Sequence, residues 1–361
     1  MKRKYKIAID VSPLSDGNSI RGVGYYTRHL VAALQKEVKT NSQYFDFDIQ
    51  LITDRLKLKA NFDLIHYPFF DPFYLTLPLT TKPFIVTIHD IIPIEFRSFF
   101  PVGIKGFFKW NIQKLKLLLA KYVITVSHYS KYSIHKFTHY PLEKIFTSYE
   151  AADSSLHPVT EKKFLKNVKD KYKLPDKFVF FLGDINWNKN IRTLVKACQQ
   201  LGYPLIIAGS AATKEVPKHP WTTDIHWLQD QIKNQTKKII IPLGFVPDED
   251  LPSVFNLATM YVQPSFAEGF GLPPLQAMQS GCPVIYSSAT SLPEVMDYNG
   301  LPFDPNSLSE LKTAIKTFWN DDQLRQKYIK LGLKRASTFT WQQTALNTLS
   351  VYRLALLDEK K

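Results

Sequence analysis

Short apolar, β-branched runs alternate along this chain with longer segments of helical period. Lys6 to Val11, Phe47 to Ile52, Leu64 to His66, Phe84 to Ile88, Tyr122 to Val126 and Lys144 to Ser148 read as strands. The pattern restarts with Phe178 to Leu182, Leu205 to Gly209, Ile239 to Leu243, Met260 to Val262 and Val284 to Tyr286. Runs this continuously apolar suit strands buried on both faces, and the long separations suit crossover helices. The pattern therefore predicts an α/β chain with two parallel sheets. Three helices are expected to close it, over Leu308 to Trp319, Asp322 to Ser337 and Trp341 to Leu357.

Candidate chemistry sits where strands end. After Met260 to Val262 come Glu268-Gly269-Phe270-Gly271-Leu272, then two prolines opening a helix that stops at Ser280-Gly281. A carboxylate and two glycines thus stand before a helix N-terminus, which suits a diphosphate. After the strand ending at Leu182, a loop carries Asn188 and Lys189 into a helix from Ile191. A lysine at the positive end of a helix is unfavourable unless an anion is present; a plain surface lysine is the competing reading. His89 ends the strand Phe84 to Ile88, the edge at which open α/β sheets bind ligands. Its competing reading is a structural bond to Asp90. Gly22-Val23-Gly24 opens the first helix, either for close packing or to approach a ligand.

The stretch Glu268-Gly-Phe-Gly-Leu-Pro, with Gln276 eight residues on and then Ala277-Met278, resembles the donor-site signature of the retaining glycosyltransferases of family 4. The resemblance covers about Lys6 to Leu357. It implies a GT-B fold: two Rossmann-like domains with parallel sheets facing a cleft, and a last helix crossing back to the first domain. The expected boundaries are 1–158 for the acceptor domain, 174–340 for the donor domain and 341–361 for the returning helix. It further implies metal-independent transfer of a sugar from a nucleotide-diphosphate sugar to a glycan or lipid-linked acceptor, with retention and no cofactor. GDP-mannose is the donor weakly favoured. Glu268 and His89 would be catalytic. Lys189, Asn188, Gly269, Phe270, Gly271, Leu272, Gln276, Phe245 and Val246 would bind the donor, and Gly22, Val23 and Gly24 would form an acceptor or phosphate loop. The family has a second Glu where this chain has Gln276, and some members have Arg where it has Asn188. Two rivals follow: a degenerate sugar-nucleotide binder and a sugar-nucleotide epimerase.

Composition adds location and partners. The 361 residues carry a net charge of +14, with no nucleic-acid motif. Cys198 and Cys282 lie in apolar contexts, without metal or disulfide spacing, which fits a reducing cytoplasm. Gly103 to Tyr122 holds Lys105, Lys109, Lys114, Lys116 and Lys121 and no acid. Ile104, Phe107, Phe108, Ile112, Leu115, Leu118, Leu119 and Tyr122 fall at three- and four-residue spacing. Such a segment suits an anionic membrane surface, and the family resemblance implies a cytoplasmic protein peripheral on the inner face of the cell membrane. A core-packed helix with a solvated lysine face is the alternative.

Overall fold

A computed structural model describes residues 4–15, 22–41, 46–53 and 62–357. Part of the polar loop expected over Ser12 to Ile20, together with Arg21, lies outside the described residues. The chain divides into two compact units. One comprises segments 1–98, 102–151 and 339–361; the other comprises 99–101 and 152–338. The helix Lys162–Tyr172 belongs to the second unit.

The first unit holds strands β1 (Tyr5–Asp10), β2 (Phe47–Ile52), β3 (Leu64–Tyr67), β4 (Phe84–Ile88), β5 (Tyr122–Thr125) and β6 (Ile145–Thr147). All pair in parallel, in the order β2-β1-β3-β4-β5-β6. The second unit holds β7 (Val179–Leu182), β8 (Leu205–Ala208), β9 (Ile240–Gly244), β10 (Met260–Gln263), β11 (Val284–Ser287) and β12 (Leu301–Phe303). Their order is β12-β11-β10-β7-β8-β9, again parallel. Renumbered within its unit this is 3-2-1-4-5-6 read from the other edge, the Rossmann order. The chain leaves β7 in one direction and returns to β10 on its other side. The connections after those two strands therefore run in opposite directions, and the switch point between them is where such sheets take ligands.

Strand β12 was not legible as a strand. Its sequence Leu-Pro-Phe carries a proline, which removes a ladder donor; the structure places it at a sheet edge, where proline is tolerated.

The helix Trp341–Leu357 is part of the first unit. Tyr352 on that helix shares a hydrogen bond with His66 Nδ1 at 2.7 Å, and His66 Nε2 meets Thr87 Oγ1 at 2.8 Å. Thr344 Oγ1 donates to the carbonyl of Tyr149 at 2.7 Å. A fully buried imidazole between two hydroxyls is held neutral: burial lowers its pKa to about 3, and the charge of His89 adds to this.

The helix Gly103–Leu117 departs from the core-packed reading. Its inward residues are Gly106, Trp110, Gln113 and Leu117. The apolar line lies outward, with Ile104 at 77% and Leu115 at 65% exposed, and Phe107, Phe108, Ile112, Leu118 and Leu119 also in water. Spacing revealed an apolar stripe but not which side the sheet would take. Among the described residues no helix is long and apolar enough to cross a membrane. Cys198 and Cys282 are both buried free thiols, and burial pushes both well up.

The buried imidazole of His66 gives a pH prediction. Unfolded, it titrates near 6.5; folded, near 3. Between those values the unfolded chain binds a proton that the native chain does not, so stability falls as pH is lowered through that window. The limit for one such group is ~1.4 kcal/mol per pH unit. Thermal melts of His66→Gln between pH 6.5 and 4 should show a shallower loss than the parent; identical slopes would show that His66 does not titrate on unfolding.

Candidate active site

Two loops meet at the β7/β10 switch point and are stitched together by side chains. The backbone amide of Phe266 donates to the carbonyl of Asn188 at 2.8 Å, and Asn188 Nδ2 donates to the carbonyl of Ala267 at 2.9 Å. Asn190 Nδ2 donates to the carbonyls of Pro264 and Pro305, both at 3.0 Å. Trp187 stacks on Phe266 with ring centres 5.1 Å apart. Asn188 and Asn190 are both buried, so their amides satisfy carbonyls that water cannot reach. Asn188 thus joins the two loops through its amide nitrogen.

Between these stitches stands an ion pair. Lys189 Nζ donates to Oε1 and Oε2 of Glu268, each at 2.8 Å. The carboxylate is the anion that a lysine next to a helix N-terminus calls for. Glu268 is 8% exposed at its side chain and Lys189 17%. The two oxygens of Glu268 are not equivalent. Oε1 also accepts from Gln263 Nε2 at 2.7 Å and from Ser265 Oγ at 2.6 Å. Among the described residues, Oε2 receives Lys189 alone. One oxygen is therefore fixed by three donors, while the other keeps capacity for another hydroxyl. The negative charge also reaches Tyr261, whose buried phenol is pushed well up, by desolvation first and by Glu268 second.

The backbone behind Glu268 is held with equal care. Its amide donates to Thr290 Oγ1 at 2.9 Å, and Ser291 Oγ donates to the carbonyls of Glu268 at 3.0 Å and Phe270 at 2.9 Å. Thr290 sits at φ 53°, a left-handed conformation uncommon for a β-branched residue. Such strain costs about 1–3 kcal/mol and collects at functional sites. Gly271 caps the helix Leu272–Gln279 at φ 106°, and a Cβ there would lie 2.6 Å from Leu292 Cδ2. Only glycine fits both demands. Pro273 and Pro274 supply no N–H, so the helix end offers the amide of Leu272 and its dipole.

Gln276 lies on the same short helix, nearly buried, with no side-chain hydrogen bond among the described residues. Gly269 belongs to the loop that Ser291 ties on both sides. Phe245, just past β9, is 63% exposed, whereas Val246 is buried. Gln263, Ser265, Thr290 and Ser291 were not singled out from the sequence. Each is an ordinary residue type whose role is a hydrogen bond to a carboxylate or loop that only the fold brings near.

His89 and the Gly22-Val23-Gly24 stretch belong to the first unit. Gly22 to Gly24 are the first residues of the helix Gly22–Thr40, and Thr27 Oγ1 donates to the carbonyl of Val23 at 2.9 Å. His89 Nδ1 lies 3.0 Å from Glu150 Oε1 and Nε2 lies 3.2 Å from the carbonyl of Pro68. Its partner is therefore Glu150, which sequence reading missed, while Asp90 caps the amide of Ile92 at 3.0 Å. With an acceptor at each ring nitrogen, the doubly protonated form satisfies both. Burial works against that charge, but the hydrogen bond and charge of Glu150 outweigh it, with Pro68 and Asp90 adding to them. The His89 pKa is raised.

The sequence profile of Glycosyl transferases group 1 matches residues 162–335, and that of Glycosyltransferase Family 4 matches residues 38–155. The chain is 33% identical over 314 residues to the Escherichia coli protein named O-antigen chain mannosyltransferase B, covering 84% of this chain and 79% of that one. Among solved structures, sucrose-phosphate synthase from Thermosynechococcus elongatus aligns with a TM-score of 0.75 at 18% identity, over 98% of this chain and 99% of that one. Anabaena HepE in complex with UDP and glucose aligns with a TM-score of 0.72 at 18% identity, over 96% of this chain and 100% of that one.

Removing the charge of Glu150 should release the His89 proton earlier. In a long-range ¹H–¹⁵N titration of histidine-labelled protein, Glu150→Gln should lower the His89 pKa below its parent value. An unmoved titration would mean that Glu150 does not set the charge on His89.

Proposed function

The chain belongs to the glycosyl transferases of group 1, family 4, with the GT-B fold, and from that premise we propose which sugar transfer it performs. The donor is a nucleotide-diphosphate sugar, and the transferred sugar is mannose, with GDP-mannose as its source. The acceptor is a glycan or lipid-linked glycan, and transfer retains the anomeric configuration. The mannosyltransferase named above supports the sugar; the UDP complex of the HepE neighbour supports a nucleotide donor. The single observation that carries the reading is the asymmetric carboxylate of Glu268.

In this reading Glu268 Oε2 takes a hydroxyl of the donor sugar, while Oε1 stays clamped by Gln263 and Ser265. Breaking the anomeric C–O bond leaves negative charge on the diphosphate. Lys189 turns from the carboxylate toward that charge, and the Leu272 amide and helix dipole face it as well. A mobile ammonium and a helix end supply charge that a divalent cation would otherwise supply, so metal independence is part of the proposal. Gln276 takes a ribose hydroxyl through its amide oxygen, and Phe245 offers an open ring to the base. His89, whose pKa Glu150 raises against the effect of burial, is the first unit's candidate for steadying developing negative charge.

We further place the protein on an anionic membrane surface through 103–122, where a lipid-linked acceptor would be met. The outward apolar line and the absence of acids there support this reading.

Glu268→Gln should lower transfer from GDP-mannose by on the order of 10² or more with the fold unchanged; near-parental turnover would falsify the donor-site reading. Reversing Lys105, Lys114 and Lys121 to Glu should release the protein from phosphatidylglycerol vesicles, since each lysine contributes about 1 kcal/mol. Undiminished co-sedimentation would show that the surface binds otherwise or not at all.

A further inference from the structure

Beside the helix Gly103–Leu117 runs the segment 71–79, and one row of helix side chains fastens the two. Lys109, Gln113 and Lys116 recur at the spacing of a single helix face. Gln113 is fully buried. Its Nε2 donates to the carbonyl of Asp71 at 3.0 Å and to Thr76 Oγ1 at 2.7 Å, and its Oε1 accepts from the amide of Leu77 at 3.3 Å. Lys116 Nζ donates to the carbonyl of Leu77 at 2.7 Å, and Lys109 Nζ stands 5.2 Å from the centre of the Tyr74 ring. Asp71 Oδ1 accepts from the amides of Phe73 and Tyr74 at 2.7 and 3.0 Å, which shapes the turn. At Gly106 a Cβ would come within 2.6 Å of Val102 Cβ, while the Phe73 ring of the turn lies at ordinary contact distance, 3.7 Å.

What this clamp holds out is apolar. Tyr74 is 68% exposed and Leu79 80%, with Leu75 nearly half exposed. Holding such side chains in water runs against their transfer free energy, about 25 cal/mol per Å². A loop this firmly bonded cannot simply fold them away.

We propose that segment 74–79 enters the lipid headgroup layer together with the helix, as the second part of a two-part apolar wedge, and that Gln113 is the residue that positions it. The inference rests on the membrane reading above and adds to it a second element and its anchor. The occupant is an anionic bilayer. Five lysines and no acid over 103–122 match phosphate headgroups, while the projecting Tyr, Leu, Ile and Phe side chains match the acyl boundary beneath them. Two of those lysines, Lys109 and Lys116, are engaged with the loop, so they serve the wedge's shape as well as its charge.

The test uses environment-sensitive fluorophores on Leu79→Cys and, separately, on Leu115→Cys in the full chain. The native thiols are buried, so the introduced cysteine takes the label. Vesicles of phosphatidylcholine with and without phosphatidylglycerol are the probes. Both labels should brighten and shift to the blue on the phosphatidylglycerol vesicles. Adding Gln113→Ala should abolish the response at position 79 and leave that at 115. Thr76→Val, which removes one of the Gln113 acceptors, should weaken the response at 79 if Gln113→Ala does not fold. A response at 115 with silence at 79 would overturn the two-part wedge while leaving the membrane reading standing. Silence at both, with the protein in the supernatant, would overturn both. Brightening without lipid that grows with protein concentration would assign the face to a second copy of the chain and overturn the proposal. An intact response at 79 in Gln113→Ala would remove Gln113 from its role.

Discussion

A lysine beside a helix N-terminus needs an anion, and in this protein Glu268 is that anion. The donor-side architecture follows from meeting this need in a nearly dry place. A buried charge pair is costly unless its remaining hydrogen-bonding capacity is filled. Gln263 and Ser265 fill one carboxylate oxygen, and Thr290 and Ser291 fix the backbone that carries it. Asn188 and Asn190 hold the opposite loop in place. In the reading proposed above the pair exchanges: a diphosphate offers Lys189 a stronger anion, and a sugar hydroxyl offers Glu268 a donor in return.

The fold was legible because its strands are fully buried. Continuous apolar runs such as Phe84 to Ile88 and Leu205 to Ala208 have no solvent face to blur the reading. The exception, β12, is an edge strand with a proline, where neither burial nor propensity speaks. Glu268, Lys189 and Gly271 were legible because each is an unusual residue for its local position. The groups that make them work were not. Ser265, Thr290, Glu150 and Gln263 act through contacts between loops distant in sequence, and nothing in their own neighbourhoods marks them. The bond from Asn188 to the buried carbonyl of Ala267 was equally hidden, because it joins two loops far apart in sequence.

Surface helices are ambiguous for a related reason. The segment 103–122 has two candidate inner faces, one all aliphatic and aromatic, the other built on Gly106, Trp110, Gln113 and Leu117. The sheet takes the second, and the buried glutamine on that face fastens the segment 71–79 to the helix. The first face stays exposed, with Ile104 and Leu115 in water, and it is the face proposed above to meet an anionic membrane.

The central claim is that Lys189 belongs to the diphosphate and that Glu268 holds it only until the donor arrives. Calorimetry with GDP, which lacks the sugar, separates the two residues. Lys189→Met should weaken GDP binding by roughly tenfold or more, since a charge-assisted hydrogen bond contributes about 1.5–3 kcal/mol. Glu268→Gln should leave GDP affinity unchanged or tighter, because it frees the ammonium from its competitor. If Glu268→Gln instead weakened GDP binding as much as Lys189→Met, the pair would be a fixed structural element and the account of the donor site would be wrong.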